Sequence, residues 1–326
     1  MAPFTILVAF AFLLALAATP MCRRLALRHG VVARHNHRTV HTGRVPKLGG
    51  AAIFAAVVVP LVVMAATGYP LPTEVIGLLL GGTVLFLVGA ADDVRGLGCN
   101  FKLALQSFGA LVLVWSGFRI EVIVLPGFGS FPLGWGSIPF TLLWVVGITN
   151  AINLIDGLDG LATGVVMSAV AVAAVLGCAH GHALVVIVAA VVFGALAGFL
   201  PYNLHPAAIF MGDSGSLFLG FVVAWLAAAG ARLEPGTVPI AVPLLSLLLP
   251  VTDTSLAIIR RLRRGIHPFV ADREHIHHRL LNAGLSHRSA AVLMCAMSVA
   301  LGAAALLVAW AAIVRVAPVV ALCPFR

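Results

Sequence analysis

Four short segments of this chain bring together residue types that do chemistry. Asp92 and Asp93 stand side by side in Ala91-Asp92-Asp93-Val94-Arg95-Gly96, with Lys102 soon after. Adjacent carboxylates repel one another. They persist where a cation or a phosphate-bound metal sits between them, or where one has a raised pKa and serves as a base. A solvated helix end with Arg95 as partner is the plainer account. The run Asn150-Ala151-Ile152-Asn153-Leu154-Ile155-Asp156-Gly157-Leu158-Asp159-Gly160 holds two amides, two carboxylates and two glycines. Oxygen-only donors suit Mg2+ rather than zinc, and glycine admits close approach of backbone to a ligand. Asx turns and helix caps account for Asp156 and Gly157, but not for the whole cluster.

Pro201-Tyr202-Asn203-Leu204-His205-Pro206-Ala207 leads into Phe210-Met211-Gly212-Asp213-Ser214-Gly215-Ser216. Asp213 between glycines, just ahead of an apolar run, exposes a carboxylate beside a helix N-terminus. That terminus attracts phosphate, and the carboxylate can hold the metal that neutralises it. Further on come Asp272-Arg273-Glu274-His275-Ile276-His277-His278-Arg279. The helical zinc pattern places histidines at i and i+4 around an acid, whereas these lie at i, i+2 and i+3. Between Arg273 and Arg279 they read instead as donors to phosphate or diphosphate oxygens; a purely structural basic loop is the alternative. Asp253 either pairs with Arg260 or lines the site. His180 and His182 fall in a short turn away from these motifs.

The elements that must position these residues are apolar. The chain has 326 residues, 61% apolar and 10% charged, with a pI near 10.4. A soluble domain is nearer 45–50% apolar and about 25% charged, so that class is excluded, as are a disordered chain and a nucleic-acid binder. Five scattered cysteines without CxxC spacing suggest neither a disulfide framework nor a zinc site. Walker A, strand-linked GxGxxG and GxSxG signatures are absent. Apolar runs lie at about 3–22, 49–67, 74–91, 103–118, 138–152, 160–178, 182–200, 215–230, 237–259 and 289–313. The expected fold is an all-α polytopic integral membrane protein of about 10 transmembrane helices, forming a single domain over 1–326. The first run has no positive residues before it and Arg23, Arg24 and Arg28 after it, which favours an uncleaved helix. Residues 121–139 read as a short external hairpin or re-entrant piece.

Sixteen of the twenty Lys and Arg residues fall in 23–48, 92–102 and 260–288, all on one side if ten helices alternate. The positive-inside rule makes that side the cytoplasm and puts both termini outside. Loops at about 153–160 and 201–214 share that side, and so do eight of the eleven acids. A transporter needs polar groups near mid-membrane. Here they gather where helices meet the cytoplasm, which favours an enzyme that joins a soluble substrate to a lipid.

Taken together the segments resemble the polyprenyl-phosphate N-acetylhexosamine-1-phosphate transferases, the family that also holds the phospho-MurNAc-pentapeptide transferase. The resemblance rests on six motifs in family order: Val45-Pro46-Lys47-Leu48-Gly49-Gly50, Asp92–Asp93, Asn150–Gly160, Pro201–Ala207, Met211–Ser216 and the histidine loop. His275-Ile276-His277-His278-Arg279 is similar to the branch that uses UDP-N-acetylglucosamine; the pentapeptide branch shows three consecutive histidines. The resemblance implies transfer of GlcNAc-1-phosphate from UDP-GlcNAc to undecaprenyl phosphate at the inner leaflet of the bacterial inner membrane, with release of UMP. It implies Mg2+, or Mn2+ in its place, held by Asn153 and Asp213, and Asp92 as the base, with Asp93 its neighbour near the metal. Lys102, His277 and His278 would surround the diphosphate. Asp156, Asp159, Asn203, His275 and Arg279 would bind substrate, Asp159 at the uracil. Whether Asp92 is a base or a covalent nucleophile stays open, as does a homodimeric assembly. Other UDP-N-acetylhexosamines, UDP-MurNAc-pentapeptide among them, are the alternative donors. An ion-coupled transporter, or a membrane phosphatase or phosphatidyltransferase, is the competing reading. The loop His35–His41 carries no role beyond phosphate contact.

Overall fold

The computed structural model describes residues 2–33, 45–125, 127–234, 237–265 and 274–321. His35–His41, Asp272 and Arg273 lie outside the described residues. The chain runs through α1 (Ala2–Arg28), α2 (Gly49–Ala66), α3 (Thr73–Arg95) and α4 (Cys99–Trp115). A hairpin of β1 (Val122–Leu125) and β2 (Gly129–Pro132) follows, then α5 (Ser137–Ile155), α6 (Leu161–Ala179), α7 (Ala183–Asn203) and α8 (Gly212–Ala231). The remainder is β3 (Thr237–Val238), α9 (Ala241–Ser246), α10 (Leu248–Arg263), α11 (Ile276–Asn282) and α12 (His287–Ala321). This is an all-α polytopic membrane protein. Among the described residues, eight helices are long and apolar enough to cross a bilayer by length and composition. α4 is apolar but has only 17 residues.

The run expected to span 237–259 is not one helix. It divides into β3, α9 and α10, with the break at Leu247. Pro250 explains the break: its ring clashes with the carbonyl four residues back, at Ser246, and it has no N–H to give. The expected hairpin is present, with Val122 opposite Pro132 and Leu125 opposite Gly129. β3 adds a third strand parallel to β1, which the sequence pattern did not suggest.

α8 is the axis of the bundle. All of its residues but Asp213 are buried, and α2, α3, α5 and α6 all pack on it. A helix buried on every side must let its neighbours' backbones come close, which small residues permit. Gly220 lies against α5, where an added Cβ would sit 2.7 Å from Thr149 Cα. Gly50 of α2 faces Gly215, and an added Cβ there would come within 2.6 Å of Gly215 Cα and Ser214 Oγ. Overpacking a tight contact costs about 1–3 kcal/mol, and more where backbone is the obstacle. Gly50→Val should therefore lower the melting temperature of the solubilised protein clearly. Gly98→Ala, with nothing within 4 Å of the added carbon, should leave it unchanged. Differential scanning fluorimetry checks both.

The helices alternate in direction, so the expected motifs meet at one end of the bundle. At the other end Glu74 and Arg232 form an ion pair. Glu74 at the start of α3 accepts hydrogen bonds from Trp225 Nε1 at 2.8 Å and Arg232 Nη2 at 2.7 Å. His180 and His182, in the turn before α7, bond the closing carbonyls of α8, Gly230 O at 3.1 Å and Ala229 O at 3.2 Å.

Candidate active site

α3 ends because Gly96 adopts a left-handed conformation, φ 71°. The turn folds Leu97 N–H back onto Asp92 Oδ1 at 2.6 Å. α4 then starts at once, and Lys102 in its first turn reaches two carboxylates. Its Nζ lies 3.1 Å from Asp92 Oδ2 and 3.0 Å from Asp213 Oδ2. One ammonium thus holds together two carboxylates, from α3 and α8, that would otherwise repel. All three side chains keep between 15% and 24% of their exposure, so the cluster is open to ligand.

Asp93 turns the other way. Its carboxylate accepts the N–H of Asp213 at 3.0 Å, the N–H of Ser214 at 3.0 Å and the Ser214 hydroxyl at 2.9 Å. The two amides are donors at a helix start that have no acceptor within the helix, and a negative charge is also favoured there. Gly212, with φ 68°, makes room for it, since an added Cβ would collide with the Asp93 carboxylate. Of the adjacent acids, Asp92 meets Lys102 while Asp93 anchors α8 from α3 and so places Asp213.

Asn153, in the last turn of α5, donates from Nδ2 to Ser216 Oγ at 2.8 Å, and Ser216 Oγ donates to Gly212 O at 3.0 Å. Its Oδ1 has no hydrogen-bond partner among the described residues, and Asn153 lines a cavity of about 270 Å3. Asp156, Asp159, Asn203, Asp213, His277 and His278 line the same cavity. Asp156 stands just beyond α5. Burial, with the nearby negative charges of Asp213 and Asp93, pushes its pKa up to about 8. The cavity wall is therefore short of positive charge.

A raised carboxylate pKa has a measurable consequence. In metal-free protein the folded state keeps a proton that the unfolded chain releases, so stability falls as pH rises from about 4 to about 8. Asp156→Asn should flatten that slope. A divalent cation should flatten it in the wild type, and melting temperatures in EDTA and in MgCl2 across that range test both.

Asp159 and Asn203 build the opposite wall. Asp159 Oδ2 is 2.8 Å from His205 Nδ1 and accepts Ala207 N–H at 3.0 Å. Asn203 accepts from Thr163 Oγ1 at 2.8 Å and donates to Ile209 O at 3.1 Å. Both hold the 203–210 loop in shape. Phe210, Lys47 and His287 also line the cavity.

The histidine loop divides. His277 packs against the α5–α6 turn, where a Cβ on Gly157 would sit 2.5 Å from its Nε2. Burial, with His278 and His275 alongside, pushes its pKa down to about 4, so it is neutral at pH 7. It can then offer one N–H to a phosphate oxygen, but no charge until that oxygen is present. His278 stands 4.2 Å from it, ring to ring. His275 is outside the cavity lining, its Nδ1 2.8 Å from Asp253 Oδ2. The described partner of Asp253 is thus a histidine rather than the arginine considered from the sequence; Arg260 lies 3.6 Å from Glu274. Arg279 is exposed on α11 and also outside the lining.

A second cavity of about 330 Å3 lies at the opposite end, beside the matched Glu74 and Arg232. The first is the better candidate, because three carboxylates, Asp156, Asp159 and Asp213, line it together with the amides of Asn153 and Asn203. Lys47, Phe210, His205 and His287 were not assigned roles from the sequence. Lys47 and His205 lay within recognised motifs. Phe210 and His287 had no spacing signal of their own.

The profile of glycosyl transferase family 4 matches residues 75–231, the stretch from α3 through α8 that carries Asp92, Lys102, Asn153, Asp156 and Asp213. A probable undecaprenyl-phosphate N-acetylglucosaminyl 1-phosphate transferase of Bacillus subtilis (strain 168) is 40% identical over 87% of this chain and 79% of its own. The chain belongs to glycosyl transferase family 4. A decaprenyl-phosphate N-acetylglucosaminephosphotransferase of Mycolicibacterium smegmatis is 38% identical over 85% of this chain and 75% of its own. An undecaprenyl-phosphate alpha-N-acetylglucosaminyl 1-phosphate transferase of Escherichia coli (strain K12) is 29% identical over 83% and 75%. In family 4 terms, the profile covers both carboxylates that Lys102 bridges, while Lys47 and the histidines of α11 lie outside it.

Proposed function

We propose that the chain transfers N-acetylglucosamine-1-phosphate from UDP-N-acetylglucosamine to undecaprenyl phosphate and releases UMP. The observation that carries this reading is the cavity in which Asn153, Asp156 and Asp213 present oxygens beside the Asp92–Lys102–Asp213 bridge. The names of the three relatives support the sugar and the lipid class of the acceptor. In the reaction an oxygen of the lipid phosphate bonds to the sugar-bearing phosphorus of the donor. The bond from that phosphorus to the bridging oxygen breaks, and UMP leaves with the electron pair. One phosphoanhydride forms as another breaks, so no external energy source is needed.

Attack of one phosphate on another brings negative charges together, so positioning and neutralisation supply most of the rate. Asp213, Asn153 and Asp156 are the oxygens that would hold Mg2+, or Mn2+. Among the described residues no three His, Cys, Asp or Glu side chains converge on one point. Mg2+ takes one or two carboxylates and completes its shell with water and substrate phosphates. The ion would neutralise charge building on the diphosphate. Lys102 keeps Asp92 and Asp213 together and lends positive charge. Lys47 and the N–H of His277 meet the donor's phosphates from other sides. Asp92 takes the proton of the lipid phosphate, and the ring of Phe210, beside the polar Asn203 wall, suits a stacked base.

The positive-inside distribution supports a site open to the cytoplasm and an inner-membrane location. Direct displacement with Asp92 as base makes a clear prediction. Without lipid acceptor, labelled UMP should not exchange into UDP-GlcNAc; a covalent aspartyl intermediate would give exchange at rates near turnover.

A further inference from the structure

Asp253 lines neither cavity and lies outside the motifs, yet both of its oxygens are engaged. It is 1% exposed in α10. Oδ2 meets His275 Nδ1 at 2.8 Å and Oδ1 accepts the N–H of Ile276 at 2.8 Å. A buried carboxylate is costly unless its hydrogen bonds are made, and these two go to the residues that begin α11. With seven residues, α11 is too short to persist by itself, and its first N–H groups need acceptors from outside. Asp253 supplies one across 23 residues of sequence. The effect reaches the cavity. The His275 ring is parallel to that of His277, 5.7 Å away at 3°, and His277 rests on Gly157 with His278 beside it.

We propose that Asp253 is a positioning residue for the transfer: through His275 and the Ile276 amide it sets α11, and so holds His277 and His278 at the cavity. This rests on the transferase reading above. Asp253→Asn keeps the shape and one acceptor but removes the charge and presents an NH2 group. Loss of an orienting partner of this kind typically costs about 10–100-fold, and kcat/KM for UMP release should fall by that much. Because the effect passes through α11, adding Asp253→Asn to His277→Ala should lower the rate less than about threefold further. His275→Gln leaves the Ile276 amide its acceptor and should cost less than Asp253→Asn.

Hydrogen exchange of detergent-solubilised full-length protein gives a readout free of activity. Exchange over 276–282 should quicken about tenfold in Asp253→Asn, with α3 and α8 unchanged. Multiplicative losses with His277→Ala, a larger loss from His275→Gln, or faster exchange throughout the bundle would each overturn the proposal. A wild type that releases no UMP would instead refute the transferase reading, and the exchange pattern would still decide the role of Asp253.

Discussion

Asp213→Ala should reduce transfer by on the order of 10³-fold or more, the largest loss expected from any single side chain here. Two separate contributions disappear together. Its carboxylate is one of the cavity oxygens proposed to hold the divalent cation, and one of the two that grip Lys102. Its backbone is untouched, because Asp93 holds α8 through the N–H groups of residues 213 and 214. The variant should therefore fold with a near wild-type melting temperature. Asp213→Asn should be almost as inactive, since it keeps the size of the side chain and loses the charge. The measurement is turnover of purified protein at saturating donor, alongside thermal unfolding.

Lys102→Met is the second large effect, of about 10²–10³-fold in kcat/KM. Lys102 lies within 3.1 Å of Asp92 and 3.0 Å of Asp213. Its removal leaves two carboxylates side by side without a counter-charge and withdraws a positive group from the phosphates. A single change should thus both slow the chemistry and alter how the site binds cations. Metal-dependence curves should shift in the variant, because a divalent ion then faces both carboxylates without competition. Lys102→Arg should recover part of the rate, limited by a planar guanidinium in place of a compact ammonium. An unchanged rate in Lys102→Met would show that the bridge is a packing feature only.

Much of the fold is legible in the sequence. Every apolar run except 237–259 became a continuous helix, since about twenty apolar residues have few other options in a bilayer. The exception turned on Pro250, a local signal outweighed by the length of the run. Asp92, Asn153, Asp156 and Asp213 stood in separate segments whose residue types suited metal and phosphate, and the resemblance joined them; in the bundle Asn153, Asp156 and Asp213 line one cavity, with Asp92 reached through Lys102. The partition of labour among the acids was not legible. Asp92 and Asp93 are neighbours in sequence but point to different partners, a matter of helix rotation that one sequence cannot reveal. The pairing of Asp253 with His275 and the docking of α11 depend on tertiary contacts across 22 residues or more. Lys47 was seen only as part of a motif, because a lone lysine before two glycines has no chemistry until the cavity around it is drawn.

The central claim is that this bundle end joins a nucleotide sugar to a lipid phosphate by displacing UMP. It is tested most directly by incubating purified protein with UDP-GlcNAc labelled in the sugar, undecaprenyl phosphate and MgCl2. UMP and lipid-extractable label are then quantified together. The account predicts the two in equal amounts, with neither formed by Asp213→Ala or when undecaprenyl phosphate is left out. Release of UMP without labelled lipid, or wild-type product formation by Asp213→Ala, would contradict it.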